Sequence, residues 1–175
     1  MGTKDYQYAL FTGLIASLVT TLISWLTRIT GIGIGPEATW AIILGFGTSQ
    51  PAWWLGFAVH IVTGSVIALG YCWLFNILDR SLNHWGTGLA VGLVHANFIG
   101  FLLIMSPKAG PVLFNGPSGV NLPKVMMWVF LHMIYGLTIW TLWEEVGEER
   151  QIYHYFPRRF GQRILGQRIH RKRVG

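Results

Sequence analysis

Charged residues are scarce in this chain of 175 residues, of which 11 % are Asp, Glu, Lys or Arg, whereas soluble domains average about a quarter. Between residues 6 and 77 the charged side chains are Arg28 and Glu37, and between residues 81 and 143 they are two lysines. This scarcity excludes an ordinary soluble domain. It predicts four membrane spans, each long enough to cross about 30 Å of hydrocarbon, at residues 8–29, 53–78, 87–106 and 124–146.

Cysteine and paired catalytic groups are nearly absent as well. Cys72 is the single thiol, which excludes an intramolecular disulfide and a cysteine-based metal site. Thr63 and Ser65 follow His60 too closely to face it across an active site. No Asp, Glu, Lys or Arg lies deep in a predicted span, where ion-coupled carriers usually keep such groups. We therefore expect no enzymatic activity, and a small solute channel or carrier is the weakest functional alternative.

The basic residues are distributed unevenly between the two sides of the membrane. With four spans both termini share one side, which carries Lys4, Arg80 and the eight basic residues of the tail at 150–175, whereas the other side carries three basic residues. The positive-inside rule places the richer side in the cytoplasm. The sequence thus predicts a multi-pass protein of the bacterial inner membrane, with a transmembrane domain at 1–149 and a basic cytoplasmic tail.

An internal repeat links the two halves of the transmembrane domain. The stretch TGLIASLV (residues 12–19) recurs as TGLAVGLV (residues 87–94), an offset of 75, and the offset becomes 72 after a three-residue deletion in the second copy. Each copy contains two spans, so both insert in the same orientation, related by a pseudo-twofold axis along the membrane normal. The further matched positions are Gly35-Pro36 with Gly110-Pro111, Pro51 with Pro123, His60 with His132, and Gly64 with Gly136.

The predicted fold class is therefore an all-α membrane protein, a four-transmembrane-helix bundle built from two parallel, duplicated helical hairpins. Small residues recur every four positions in its spans and let helix backbones approach closely, because packing drives helix association in lipid. These ridges direct the span histidines into helix interfaces rather than towards lipid. The predicted helix-packing residues are Gly56, Gly64, Ala68, Gly88, Gly92, Ala96, Gly100 and Gly136.

Three histidines within the spans, His60, His95 and His132, are the candidate ligand-binding residues. In one interpretation they ligate a tetrapyrrole, with His60 and His132 at equal depth on symmetry-related helices holding haem b or a chlorin. In the other, each neutral ring donates one hydrogen bond to a carbonyl, a hydroxyl or Asn97, worth about 0.6 kcal/mol. The glycine ridges favour the second interpretation, since they close the gap that a macrocycle would fill, and no cofactor is expected.

The tail after residue 149 contains no acidic residue. A basic cluster beside a span indicates binding to anionic lipid, at about 1 kcal/mol per residue near the surface, and docking onto an acidic partner subunit stays open. Binding to nucleic acid is not expected, because membrane topology already explains the charge. The predicted docking residues are Arg158, Arg159, Arg163, Arg168, Arg171, Lys172 and Arg173.

Two patterns, GxxxHxxxGxxxAxxY (residues 56–71) and HxxYG (residues 132–136), resemble those of the small YagU-like four-helix inner-membrane proteins of bacteria. The resemblance covers residues 8–146, includes Pro36 and residues 105–107, and excludes the basic tail. It implies a four-helix bundle with no established reaction and no catalytic residues to carry over.

These observations lead to three functional hypotheses of different classes. The first is a non-catalytic accessory or scaffolding subunit that packs against other integral membrane subunits, such as those of a respiratory or photosynthetic complex, and against anionic lipid. It is motivated by the absence of charge inside the spans, by the helix-packing surfaces and by the basic tail. The second is a membrane protein with histidine-ligated haem or chlorin, and the third is the small solute channel or carrier.

Overall fold

The computed structural model describes residues 3–31, 35–47, 49–78, 84–106, 109–116 and 119–144. Its elements in chain order are helices α1 (Thr3–Arg28), α2 (Pro36–Ile43), α3 (Gln50–Ile77), α4 (His84–Ile104) and α5 (Ala109–Phe114), strands β1 (Asn115–Gly116) and β2 (Gly119–Val120), and helix α6 (Leu122–Glu144). The two short strands pair antiparallel between α5 and α6. Residues Met1–Thr141 form one compact unit, which contains every contact described below.

Four of the described helices are long and apolar enough to cross a membrane, so the predicted all-α four-helix bundle is confirmed. The spans are Lys4–Arg28, Gln50–Ile77, Trp85–Ile104 and Leu122–Glu144. Each begins two to four residues before the predicted start. The apolar run marks where hydrocarbon begins, whereas the helix itself starts earlier, as at α3, where Pro51 occupies a first-turn position behind the cap residue Ser49.

Helix α1 turns its small polar residues inward and its leucines outward. Thr12, Thr20 and Thr21 are buried, and their hydroxyls donate to backbone carbonyls three or four residues earlier at 2.8–3.0 Å. Leu14 and Leu22 are exposed on the opposite face. This polarity is the reverse of a soluble helix and suits lipid, where small inward-facing residues allow close packing and hydroxyls satisfy themselves on the backbone.

Helices α1 and α3 meet at backbone contact, and α4 and α6 meet in the same way. A Cβ atom added to Gly13 would lie 2.8 Å from Ser65 Cα, and one added to Gly88 would lie 3.0 Å from Leu137 Cα. The close approach of α1 to α3 therefore requires glycine at position 13, and that of α4 to α6 requires glycine at position 88. Shifting α1 by 75 residues and α3 by 72 converts the first set of contacts into the second: Gly13 against Gly64, Ser65 and Ala68 becomes Gly88 against Gly136, Leu137 and Trp140.

One short helix follows the first span of each half, α2 in the first half and α5 in the second. Helix α2 packs against α3 at Gly56, where an added Cβ would lie 2.9 Å from the backbone nitrogen of Ala41. Helix α5 contains Gly110-Pro111, the positions matched by sequence to Gly35-Pro36 at the start of α2. The Gly- and Pro-rich segment around α5 shows no periodicity in the sequence because six residues make fewer than two helical turns.

We predict that Gly92→Ala lowers the stability of the bundle by about 1–3 kcal/mol, the usual cost of overpacking. A Cβ atom at this position would lie 2.8 Å from Met133 Cα on the neighbouring helix α6. Gly70→Ala is the matched control, because an added Cβ there meets nothing within 4 Å and alanine favours a helix interior by up to about 1 kcal/mol. Thermal unfolding in detergent compares the two variants, and equal effects would contradict the packing described.

Candidate functional site

A cleft of about 230 Å³ lies inside the bundle and is lined by α1, α2, α3, α4 and α6. His60, His95 and His132 all line it, on α3, α4 and α6 respectively. Each of these histidines stands ten residues after the first residue of its span, about 15 Å along a helix axis. The site therefore lies close to the middle of the spans, and the structure brings the three sequence-predicted histidines together.

The cleft straddles the boundary between the two halves of the chain. Three pairs of positions related by the sequence offsets of 75 or 72 residues face it from opposite halves. Its remaining walls are mostly isoleucine, leucine and tryptophan. The pairs are Thr20 with His95, His60 with His132, and Thr63 with Tyr135.

His132 is held by the backbone of its own helix. Its Nδ1 lies 2.8 Å from the carbonyl oxygen of Trp128, one turn earlier. Because a carbonyl oxygen only accepts hydrogen bonds, Nδ1 carries the proton, and in the neutral ring Nε2 is left as an acceptor. Trp128 is fixed in turn, since its indole donates to the carbonyl of Ala96 on α4 at 3.0 Å.

Tyrosine side chains join the two halves around the histidines. The Tyr71 hydroxyl lies 2.7 Å from Nδ1 of His95, linking α3 to α4. The Tyr135 hydroxyl donates to the carbonyl of Gly64, linking α6 to α3. The rings of His95 and His132 touch edge to face with centroids 4.9 Å apart. Two of the three imidazoles therefore form a contiguous polar wall.

His60 differs from the other two histidines because one of its ring nitrogens is unsatisfied. Its Nε2 is buried and has no hydrogen-bond partner among the described residues. A buried polar atom left unpaired costs about 1–3 kcal/mol, which is the cost that a ligand would relieve.

The cleft as built does not fit a tetrapyrrole. The contact between His95 and His132 leaves no gap for a macrocycle between those rings. A volume of about 230 Å³ is also below the roughly 300–1,000 Å³ of pockets for drug-sized ligands, and a macrocycle is among the larger of these. Within the described ranges, no three His, Cys, Asp or Glu side chains are grouped as a set of metal ligands.

An ion pair between a buried carboxylate and a partly exposed arginine, at one end of the bundle, was not predicted from the sequence. Glu37 of α2 is 0 % exposed, pairs with Arg28 at the end of α1, and accepts a 3.0 Å hydrogen bond from the indole of Trp53. Because Pro36, Thr39 and other α2 residues line the cleft, this pair holds the wall of the site in place. The sequence contains one indication of this ion pair, because Arg28 and Glu37 are two isolated charges of opposite sign in one half of the domain.

The small residues predicted to pack helices differ in their surroundings. Gly64 and Gly92 face other helices at distances that exclude a side chain, and Gly100 faces the indole of Trp128, 3.2 Å from an added Cβ. Gly64 also lines the cleft. The other five predicted helix-packing residues are likewise buried on their helices: Gly56, Ala68, Gly88, Ala96 and Gly136.

Two further sequence predictions concern Asn97 and the tail. Asn97 was considered as a partner for the histidines, but it is exposed, and its amide donates to the carbonyl of Leu93 at 2.8 Å. The predicted docking residues of the basic tail lie outside the described residues.

The chain was compared with protein-family models, with curated proteins and with solved structures, and none of them matches it.

We predict that Arg28→Met lowers the free energy of unfolding by up to about 3 kcal/mol, because it leaves the carboxylate of Glu37 buried without its counter-charge. The figure is at the lower end for a buried pair, since the Arg28 side chain is 39 % exposed. Lys4→Met, which also removes an exposed basic residue from α1, is the control and should change little. Thermal unfolding in detergent is the measurement.

The double variant Arg28→Met/Glu37→Gln separates charge from packing. With a neutral amide in place of the carboxylate, the unpaired charge is gone, and most of the lost stability should return. A double variant as unstable as Arg28→Met alone would show that the guanidinium acts through its packing instead.

Proposed function

We propose that this protein is a non-catalytic membrane protein that binds a small, mostly apolar ligand in the histidine-lined cleft. The supporting observation is the position of the cleft, at mid-span and between the two halves of an internal repeat. Membrane proteins built from repeats commonly bind ligands at the repeat interface near the bilayer midplane. Apolar walls with a few convergent polar groups are also the usual composition of ligand sites.

The size of the cleft limits the ligand. A buried apolar cavity of about 150 Å³ is large enough for benzene, so a cleft of about 230 Å³ accommodates one substituted ring. Trp40 and Trp128 supply flat aromatic walls. We therefore propose an aromatic or similarly flat ring as the part of the ligand that enters the cleft.

The residues of the cleft support binding rather than catalysis. Its lining contains no carboxylate, lysine, arginine or thiol among the described residues. The hydroxyl of Thr20 is already committed to the carbonyls of Ala16 and Ser17, at 3.0 and 3.1 Å. A nucleophile requires an adjacent base to remove its proton. Among the described residues, the hydroxyl that lies at hydrogen-bond distance from a histidine is that of Tyr71, 2.7 Å from Nδ1 of His95, and Tyr71 is not among the residues that line the cleft.

We also propose the membrane in which the chain lies and the side of that membrane on which its termini lie. We place the chain in a bacterial inner membrane with both termini in the cytoplasm, because ten of its thirteen basic residues fall on the side of the termini. The end of the bundle that carries α2 then faces away from the cytoplasm. Binding of the basic tail to anionic lipid, and membership of the YagU-like group, stay predictions.

A second candidate function, the accessory subunit, is favoured by one face of α3. Val62, Val66 and Trp73 are exposed on this helix, and Gly70 lies among them with open space where a Cβ would be. A small residue on an outward-facing helix surface allows another helix to approach closely. This face is the proposed contact with other integral membrane subunits.

A native mass spectrum of the protein, extracted gently from its own membranes, tests both candidates. Ligand binding predicts an added mass of one small molecule on the 19.7 kDa chain. We expect Ile99→Trp to abolish that added mass, because Ile99 lines the cleft and a larger ring would fill it. Phe98→Trp is the control, since the neighbouring Phe98 is exposed and the enlarged ring would project away from the bundle.

The outcomes distinguish the candidates. Retention of the small molecule in both variants would place it outside the cleft and contradict the first proposal. Additional polypeptides that are lost on Gly70→Leu but retained on Ile99→Trp would instead support the accessory-subunit function. A bare chain in every sample would contradict both.

A further inference from the structure

Asn97 places a polar amide on the outer surface of α4, in the middle of the membrane. It is exposed, and it lies about 4 Å along the helix axis from the centre of the span Trp85–Ile104. Near the centres of the four described spans, every other exposed side chain is alanine, valine, leucine or phenylalanine. Asn97 is therefore an exception on a surface that otherwise suits hydrocarbon.

The amide of Asn97 is only partly satisfied by its own helix. Its Nδ2 donates to the carbonyl of Leu93 at 2.8 Å. An asparagine amide offers a second N–H and an acceptor oxygen as well, and within the described ranges neither has a hydrogen-bond partner. Hydrocarbon supplies no such partner, so the amide is completed only by another polar group inside the membrane.

The exposed residues on either side of Asn97 have the spacing of a helix-packing surface. They follow one another at alternating intervals of four and three residues, the repeat by which one helix packs along another. A single asparagine in such a repeat fixes the register of the paired helices, and in lipid asparagine forms hydrogen bonds between helices. This surface, the α4 seam, consists of Ala90, Val94, Asn97, Phe101 and Ile104.

A second copy of this chain has the chemistry that the α4 seam requires. Two copies inserted in the same orientation are related by a twofold axis along the membrane normal, which holds both Asn97 side chains at the same depth. An amide is self-complementary, because it carries both a donor and an acceptor. We propose that the α4 seam is a homodimer interface, in which each Asn97 donates its free N–H to the oxygen of the other.

This interface is separate from the cleft and from the exposed face of α3. Ile99, which lines the cleft, follows Asn97 by two residues and therefore projects from nearly the opposite side of α4. Near the middle of α3 the exposed side chains are Val62 and Val66. Lipid tails cover valine as well as another helix does, but they cannot satisfy an amide. The proposed dimer thus does not depend on the proposed ligand.

Disulfide cross-linking of the full chain in vesicles of phosphatidylethanolamine and phosphatidylglycerol tests the interface. Val94→Cys places a thiol in the α4 seam, and Val62→Cys is the matched control, because the two valines are 68 % and 62 % exposed. The unaltered chain, whose Cys72 is fully buried, is the blank. On oxidation we expect a product of about twice 19.7 kDa from Val94→Cys, in at least tenfold higher yield than from Val62→Cys.

Further changes in the Val94→Cys chain assign the contact to the amide. Asn97→Leu removes both reciprocal hydrogen bonds, so half-maximal cross-linking should require about tenfold more protein per lipid. Asn97→Gln keeps an amide and should restore most of the cross-linking. Asn76→Leu, which removes an exposed amide at the end of α3, should change nothing. Both asparagines are exposed, so these changes leave the contacts within the bundle intact.

Three results would overturn the proposal. Equal cross-linking of Val62→Cys and Val94→Cys would indicate random collision of the chains. Undiminished cross-linking in Asn97→Leu would show that the helices pair without the amide. In native membranes, a different polypeptide joined to Val94→Cys in place of a second copy would show that the α4 seam binds another protein. None of these results concerns the ligand of the cleft, which Ile99→Trp tests separately.

Discussion

Direct contact between helix backbones is the constraint on which the rest of this structure depends. Gly13 and Gly64 close α1 onto α3, and Gly88 and Gly136 close α4 onto α6. Between the two closed pairs the contacts are made by large side chains instead, such as the edge-to-face rings of Phe75 and Trp140 with centroids 4.6 Å apart. Small residues within each pair and aromatic residues between the pairs leave a space, and that space is the histidine-lined cleft.

Most polar groups inside the bundle form hydrogen bonds within the protein, because the surrounding lipid cannot supply them. Hydrocarbon offers no hydrogen bonds, so the threonine hydroxyls Thr12, Thr20 and Thr21 of α1 bond to their own helix and Tyr135 reaches a carbonyl on α3. Glu37 follows the same rule with a charge, which is neutralised by Arg28 and bonded to Trp53. Four buried side-chain atoms among the described residues have no hydrogen-bond partner, namely Ser17 Oγ, Glu37 Oε2, His60 Nε2 and Trp140 Nε1. Of these residues, His60 lines the cleft.

The sequence predicted the spans, the repeat and the depth of the histidines, because each depends on a local or periodic property: charge density, matched segments and distance from a helix start. It did not predict the cleft. The glycine ridges suggested that the gap beside His60 would be closed, but they close α1 onto α3, whereas His60 faces the boundary between halves. That boundary depends on how Tyr71, Phe75 and Tyr135 pack across it, which no spacing in one helix encodes. The pairing of Glu37 with Arg28 likewise depends on the chain reversal between α1 and α2.

The two copies of the repeat differ at positions that line the cleft, and this difference affects how an asymmetric ligand can bind. On an exact twofold axis any asymmetric molecule would bind in two equivalent orientations. Here Thr20 of the first half occupies the position that His95 occupies in the second, and Thr63 occupies the position of Tyr135. Because of these differences the two orientations are no longer equivalent, so an asymmetric ligand in the cleft should prefer one of them. The two sides of the cleft, one from each copy of the repeat, therefore differ chemically although the backbone that carries them is duplicated.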